Sequence, residues 1–368
     1  MTVADINEQI VNALSTIRNN DVDYKDYLRV LFKSYREYVE QLSRASCSSD
    51  LPIGCDLNEL LSEIKKSTTA LLKAYNNYSK GKLSTAITIM RNRFLEEGAV
   101  RMAKLSDSQE WYRARISNAG NGFRPNEMFH IPFEKRTDVV NYRFSITGYP
   151  CLYLGSSVLS CWAEMHCPAL DNFVVSRIKV VPEVSISVLD LRIPDCNNKT
   201  CMQEDSERRY NNLMLLKTWP LIIACSIKTI APASHFKYEY IHPQLLMLAI
   251  KEHYKDLCGV MYTSTHIEPT LELCVERYTN VAVPVNTIKK RGYCTKLKEL
   301  FSISRGVPFI EAEIKRVFDL MNEISMDSIT GEIFVSSYKN GAVPYPETKF
   351  GQLEEYLQNK SVELEKIE

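Results

Sequence analysis

The stretch from Tyr142 to Glu164, Tyr-Arg-Phe-Ser-Ile-Thr-Gly-Tyr-Pro-Cys-Leu-Tyr-Leu-Gly-Ser-Ser-Val-Leu-Ser-Cys-Trp-Ala-Glu, gathers more chemically capable groups than any other part of the chain. It carries a cation, Arg143, a Gly148-x-Pro150 turn, a phenol, Tyr153, in a short apolar run, and a carboxylate, Glu164. Residues 156–165 read as a short helix with a serine near its start and Glu164 near its far end. Strand, turn and helix in that order bring a ring and a carboxylate toward one pocket. Upstream, Trp111-Tyr-Arg-Ala-Arg-Ile reads as a strand, whose alternation puts Arg113 and Arg115 on one side and Tyr112 and Ala114 on the other. Two guanidinium forks side by side suit a phosphate, although alone they read equally as exposed surface arginines.

Other chemistries find little support. The chain has no Gly-x-x-x-x-Gly-Lys-Ser/Thr loop, no Gly-x-Gly-x-x-Gly after a strand, no Gly-x-Ser-x-Gly elbow and no His-Glu-x-x-His helix. Cys161 with His166 has the makings of a nucleophile and base, but a helical cysteine facing the core is the simpler account. The 11 cysteines include no Cys-x-x-Cys pair, and Cys161, His166 and Cys167 lack a second ligand pair, so no metal is expected. An odd cysteine count without a leader-like start argues for reduced thiols and a cytoplasmic protein. Lys plus Arg and Asp plus Glu balance at 45 each, which gives no field drawing the chain to nucleic acid or membrane.

The elements that must position these groups fall into three blocks. Residues 1–105 read as a helical domain. One stripe is Leu28, Leu31, Phe32, Tyr35, Val39 and Leu42; a second follows the capping pair Asp56 and Glu59 through Leu60, Ile64, Leu71 and Tyr75; a third runs from Ala86 to Leu95. Residues 106–295 read as a mixed domain, with strands at 110–116, 142–145, 151–155, 172–181, 185–191, 221–227, 259–263 and 280–285 and helices at 204–217 and 243–254. Residues 296–368 read as a helical and hairpin extension. It has a helix through Ile310, Ile314, Val317, Phe318 and Met321, a hairpin at 328–338, and a closing amphipathic helix over 350–367. The fold class is α+β, a mixed sheet with helices preceded by an all-α region.

Tyr112-Arg113, Arg143, Gly148-x-Pro150, Tyr153 and the Ser-x(7)-Glu helix ending at Glu164 resemble the RES-domain family of toxins from toxin–antitoxin systems, related to ADP-ribosyltransferases. The resemblance covers roughly residues 108–290. It implies an ADP-ribosyltransferase-like fold that consumes NAD by splitting the nicotinamide–ribose bond, as glycohydrolase or phosphorylase. By position, Arg113 would hold the NAD phosphates with Arg115 and Arg143 beside it, Tyr153 would flank the nicotinamide or ribose, and Glu164 would be the catalytic carboxylate. The family's late serine is missing from the segment around Tyr238–Tyr240, where His242 or Gln244 stands in roughly that place. Ser264 lies in a run that resembles the family's Gly-x-x-Tyr-x-Ser strand, where it would either approach the pocket or, as the simpler assignment, sit in a core strand. The implied partner is an antitoxin, and a homo-oligomer is compatible. ADP-ribose transfer to a macromolecule, and a binding module without catalysis, are the alternative functions.

Overall fold

The computed structural model describes residues 1–313 and 345–367, apart from 17, 20, 43–46, 48, 98–99, 119, 195–204, 253–256, 267–274 and 360–361. The expected helix from Ile314 onward and the hairpin at 328–338 lie outside the described residues, as do Cys196, Cys201 and Cys274.

The N-terminal region is helical, as the stripes require. Helix α1 (Val3–Ser15) starts in a reciprocal cap in which Thr2 and Asp5 satisfy each other's backbone N–H groups. In α2 (Tyr24–Glu40), Leu28, Leu31, Phe32, Tyr35 and Val39 are all buried. The Asp56 carboxylate caps α3 (Leu57–Ser79) by accepting from the Asn58 N–H at 2.8 Å. Helix α4 (Leu83–Arg91) runs into a π turn, Asn92–Glu96, that inserts Phe94 into the core. Helix gives way to strand between Glu96 and Met102, and the apolar packing runs through this change. The N-terminal side chains share a core with Leu216, Trp219, Leu245, Val260 and Ala282. Two buried bonds tie the regions together: Tyr35 donates its hydroxyl to the Leu216 carbonyl at 2.5 Å, and the Trp219 indole donates to Asn7 at 2.8 Å.

The remainder is an α+β arrangement around one mixed sheet. Its strands are β1 (Met102–Leu105), β2 (Trp111–Ile116), β3 (Cys151–Gly155), β4 (Phe173–Val180), β5 (Ile186–Leu191), β6 (Gly259–Thr263), β7 (Thr279–Pro284), β8 (Phe301–Ser304), β9 (Val307–Pro308) and β10 (Leu364–Lys366). The spatial order is β1-β5-β6-β7-β3-β2-β4-β8-β10, with β9 also on β4. Only β5 and β6 run parallel among these pairs. Alternation sends Val260 and Tyr262 of β6 toward the helical core, and Met261 toward a second core with Leu152, Leu154, Val281 and Val283. A third cluster, with Tyr112, Val175, Val158 and Leu353, seats two helices on the sheet: α5 (Val158–Glu164) and, near the C-terminus, α9 (Lys349–Gln358).

Three expectations are corrected. Residues 221–227 are not a strand: they end helix α6 (Asp205–Ser226), where Leu215 to Ser226 is buried save Lys217. A helix apolar on every side shows no 3.6-residue period, and Pro220, tolerated inside it, looks like a break. Residues 142–145 form a turn, because the Gln244 amide, from helix α7 (Ile241–Glu252), donates to the carbonyls of Tyr142 and Ser145 at 3.1 and 3.2 Å. Residues 350–367 are not one helix, since the chain leaves α9 and adds β10 to β8. Helix α8 (Thr295–Leu300) and strands β8 to β10 complete the sheet beside β4.

Two histidines are held neutral inside these cores. His130 accepts from the Cys294 N–H at 2.8 Å and faces the Ile131 carbonyl at 2.8 Å, and burial pushes its pKa down to about 4. His242 packs against the adjoining rings of Tyr24 and Tyr75 and donates from Nε2 to the Leu71 carbonyl at 3.0 Å; burial pushes it to about 4 as well. Between an ordinary value of about 6.5 and these folded values the unfolded chain binds more protons, so stability falls as pH falls. Each histidine should withdraw on the order of 3 kcal/mol across that window. Urea denaturation from neutral to acid pH should show this decline, and His242→Gln should make it shallower; equal slopes in both proteins would contradict the assignment.

Candidate active site

The site lies where the sheet comes apart. Strands β3 and β7 pair from Cys151 to Gly155, and β2 and β4 pair from Trp111 to Ile116, but β2 and β3 meet at one register position, Tyr112 opposite Gly155. Beyond that point β2 carries Arg113 and Arg115 along one wall of a gap, and β3 carries Tyr153 along the other. The gap opens into a cleft of about 950 Å³ that also takes in Arg143, Glu164, His166, His266 and Asn280. Gly155 lets α5 sit directly on the end of β3, because a Cβ there would lie 2.8 Å from Cys161 Sγ. Gly148, at φ 79°, supplies the left-handed residue of the 146–149 turn, which leads the chain from the Arg143 turn into β3.

Five of the expected residues, Arg113, Arg115, Arg143, Tyr153 and Glu164, therefore share one cleft. Arg113 donates to the Tyr153 carbonyl at 3.0 Å and Arg115 to the Phe129 carbonyl at 2.9 Å. Arg143 donates to the Cys225 carbonyl at 3.1 Å and to Thr265 at 3.3 Å, with its guanidinium 5.1 Å from the Tyr240 ring centre. Among the described residues none of the three has a carboxylate within ion-pair distance. The Nε atoms of Arg113 and Arg115 are buried without an acceptor. Burial, helped by the neighbouring Arg115, pushes Arg113 down to about 10, so it remains a cation at neutral pH. A half-buried like-charged pair without counter-charge is unfavourable, and an anion entering the cleft would relieve it.

Glu164 is fixed from both ends of its helix. At the N-terminus of α5, Ser157 accepts from the Ser160 N–H at 3.0 Å, and Glu354 of α9 accepts from the Val158 N–H at 2.7 Å. At the C-terminus, Glu164 Oε1 accepts from Ser264 Oγ at 2.6 Å and from Asn280 Nδ2 at 2.7 Å. Ser160 in turn donates to Asn280 Oδ1 at 2.7 Å, which orients that amide. Glu164 Oε2 faces His266 at 3.8 Å. The carboxylate thus has one oxygen locked and the other turned toward the cleft. Tyr153 packs edge-on against Tyr142, ring centres 5.9 Å apart, and burial raises its phenol well above the ordinary value.

His242 and Gln244 are not brought to the cleft. Burial in α7 places His242 in the helical core, and Gln244 holds the turn at 142–145 from behind. Ser264 is the hydroxyl on Glu164, so of its two expected places the approach to the pocket is the one found: it follows β6, and its side chain points at the carboxylate. Asn280 was not anticipated from the sequence. Its signal was a lone amide within the apolar run of β7, where an unpaired amide is disfavoured unless something buried needs it. Cys161 is a packed thiol, as expected: it donates to the Tyr112 carbonyl at 3.3 Å, and burial pushes it up to about 12.

An unpaired buried arginine predicts a trade between stability and binding. Arg113→Met should leave the melting temperature unchanged or raise it, while lowering affinity for inorganic pyrophosphate at least about tenfold. Thermal shift with and without pyrophosphate measures both; a destabilised variant with an intact pyrophosphate response would contradict it.

The chain is 33% identical over 287 residues to a protein of Bacillus subtilis (strain 168) named "Putative toxin YopC", an alignment covering 74% of this chain. The matched part spans 64% of that protein's length. No protein-family model matches the chain, and no solved structure matches it.

Proposed function

We propose that this protein is an NAD-consuming enzyme that cleaves the nicotinamide–ribose bond, and that it acts as a toxin by depleting cellular NAD. The observation that carries this is the pairing, in one cleft, of a fixed carboxylate with arginines, Arg143 buried and Arg113 and Arg115 half-buried, that have no carboxylate partner among the described residues. Departure of nicotinamide leaves positive charge on the ribose, and an anionic Glu164 held in place by Ser264 and Asn280 stabilises it without having to reorganise. Arg113 and Arg115 supply the always-charged forks that a pyrophosphate takes, with Arg143 further along the cleft. Tyr153 and Tyr142 offer aromatic faces for the nicotinamide or its ribose. The hydroxyl of Ser264 on Glu164 removes the main argument for a module without catalysis. The similarity to a protein named as a toxin supports the cellular role, for which an antitoxin is the expected partner.

Purified protein should release nicotinamide from NAD, and Glu164→Gln should slow release by about 10²–10³-fold with the fold intact. Asn280→Ala should fall in between, since it frees the carboxylate without removing it. A folded wild type that leaves NAD untouched, with and without phosphate, ends the proposal; radiolabel from NAD appearing on protein or nucleic acid would instead assign ADP-ribose transfer.

A further inference from the structure

The end of α5 contains a conformational choice that packing alone does not explain. The His166 N–H bonds the Ala163 carbonyl at 3.0 Å, and the Cys167 N–H bonds the Trp162 carbonyl at 3.0 Å, the paired bonds of a helix terminated by a left-handed residue. Glycine is the usual occupant of that position, because a side chain there is strained. Here it is His166, at φ 61°, followed by Cys167 at φ 54°. The consequence is local: the His166 imidazole stands edge-on to that of His266, ring centres 5.0 Å apart at 83°, on the wall of the cleft two residues after Glu164.

His266 is placed from its other side by the same hydroxyl that locks Glu164. Its backbone N–H donates to Ser264 Oγ at 3.2 Å, and Ser264 Oγ donates to Glu164 Oε1 at 2.6 Å. Thr265, between them, accepts from Arg143 at 3.3 Å. His266 Nε2 ends 3.8 Å from Glu164 Oε2, with 36% of its side-chain surface open. Among the described residues, the charged and titratable groups facing it are Glu164 at the end of α5, His166 just beyond it, and Arg143 from the 142–145 turn.

We propose that His266 is the general base that takes the proton from the group attacking the ribose carbon, and that His166 positions its ring. This rests on the NAD-cleaving function proposed above. In the step, the C1′–N bond breaks with its electron pair leaving on neutral nicotinamide. A C1′–O bond forms from the acceptor hydroxyl, and the acceptor's proton passes to His266, whose imidazolium is then stabilised by Glu164. Burial lowers the pKa of His266, with His166 and Arg143 acting in the same direction and Glu164 against them, so the ring is neutral and able to accept at neutral pH. His166 thus trades backbone strain for a contact that holds the base.

The test is NAD cleavage measured from roughly pH 5 to 8, together with thermal melting, for the wild type, His266→Gln and His166→Gly. Wild-type kcat should fall on an acid limb with a midpoint below about 6.5. His266→Gln should lose about 10²-fold or more in kcat, with little change in KM, and the limb should disappear. His166→Gly should melt at the same or a higher temperature yet lose several-fold in kcat, with its limb moved toward higher pH. An active wild type alongside a His266→Gln variant that keeps its rate and acid limb overturns the role of His266 alone. A His166→Gly variant that melts lower while keeping full activity overturns the role of His166. A wild type that cannot cleave NAD removes the underlying function, and this role with it.

Discussion

Everything in the site depends on an electrostatic imbalance: two half-buried arginines beside the gap between two strands, with no carboxylate among the described residues to meet them. The chain as a whole is neutral, with 45 cationic and 45 anionic residues, so the imbalance is local. Elsewhere the buried charges are matched. Asp190 is bound by Arg101 and Arg192, Glu110 by Arg177 and Lys179, and Arg93 by Glu63 and Glu97. Against that background, Arg113 and Arg115 stand out, because desolvating a cation without a partner is among the most destabilising arrangements a fold can hold. Separation of β2 from β3 after Tyr112 and Gly155 creates the exception: it removes the strand pairing that would otherwise fill the space and exposes both side chains to the gap.

The carboxylate on the opposite wall shows the complementary design. Glu164 gains its orientation from groups far apart in sequence. Ser160 and Asn280 act through one amide, Ser264 through a hydroxyl, and Glu354 through the other end of the same short helix. Glu354 also accepts from the Tyr345 hydroxyl at 2.5 Å, and Gln358 donates to the Tyr112 hydroxyl at 2.8 Å, so α9 braces the back of β2 and the start of α5 together. The C-terminal part of the chain is in this sense a piece of the site's frame, although none of its described side chains lines the cleft.

How much of this was legible in the sequence follows from the range of the interactions involved. Arg113, Arg115, Tyr153 and Glu164 could be found because each sits in a local pattern, an alternating strand or a capped helix, whose geometry is fixed within a few residues. Ser264 could be read only as one of two possibilities and Asn280 not at all, since their meaning comes from a carboxylate 100 and 116 positions earlier in the chain. His242 misled for the opposite reason: its neighbours in sequence looked like a site, while Tyr24 and Tyr75, from the first helices, decide where it lies. Amphipathic helices near the N-terminus were readable from their stripes, as was the first half of α6, but its second half was not, because burial on all sides erases the helical period there.

The account stands or falls on where a dinucleotide would lie. The most direct measurement is a crystal structure of Glu164→Gln soaked with NAD, since the slowed variant should retain the substrate. The account predicts the pyrophosphate between Arg113 and Arg115 and the nicotinamide ribose facing residue 164 and His266. NAD bound outside the cleft, or a cleft left empty at concentrations that saturate the wild type, would contradict it.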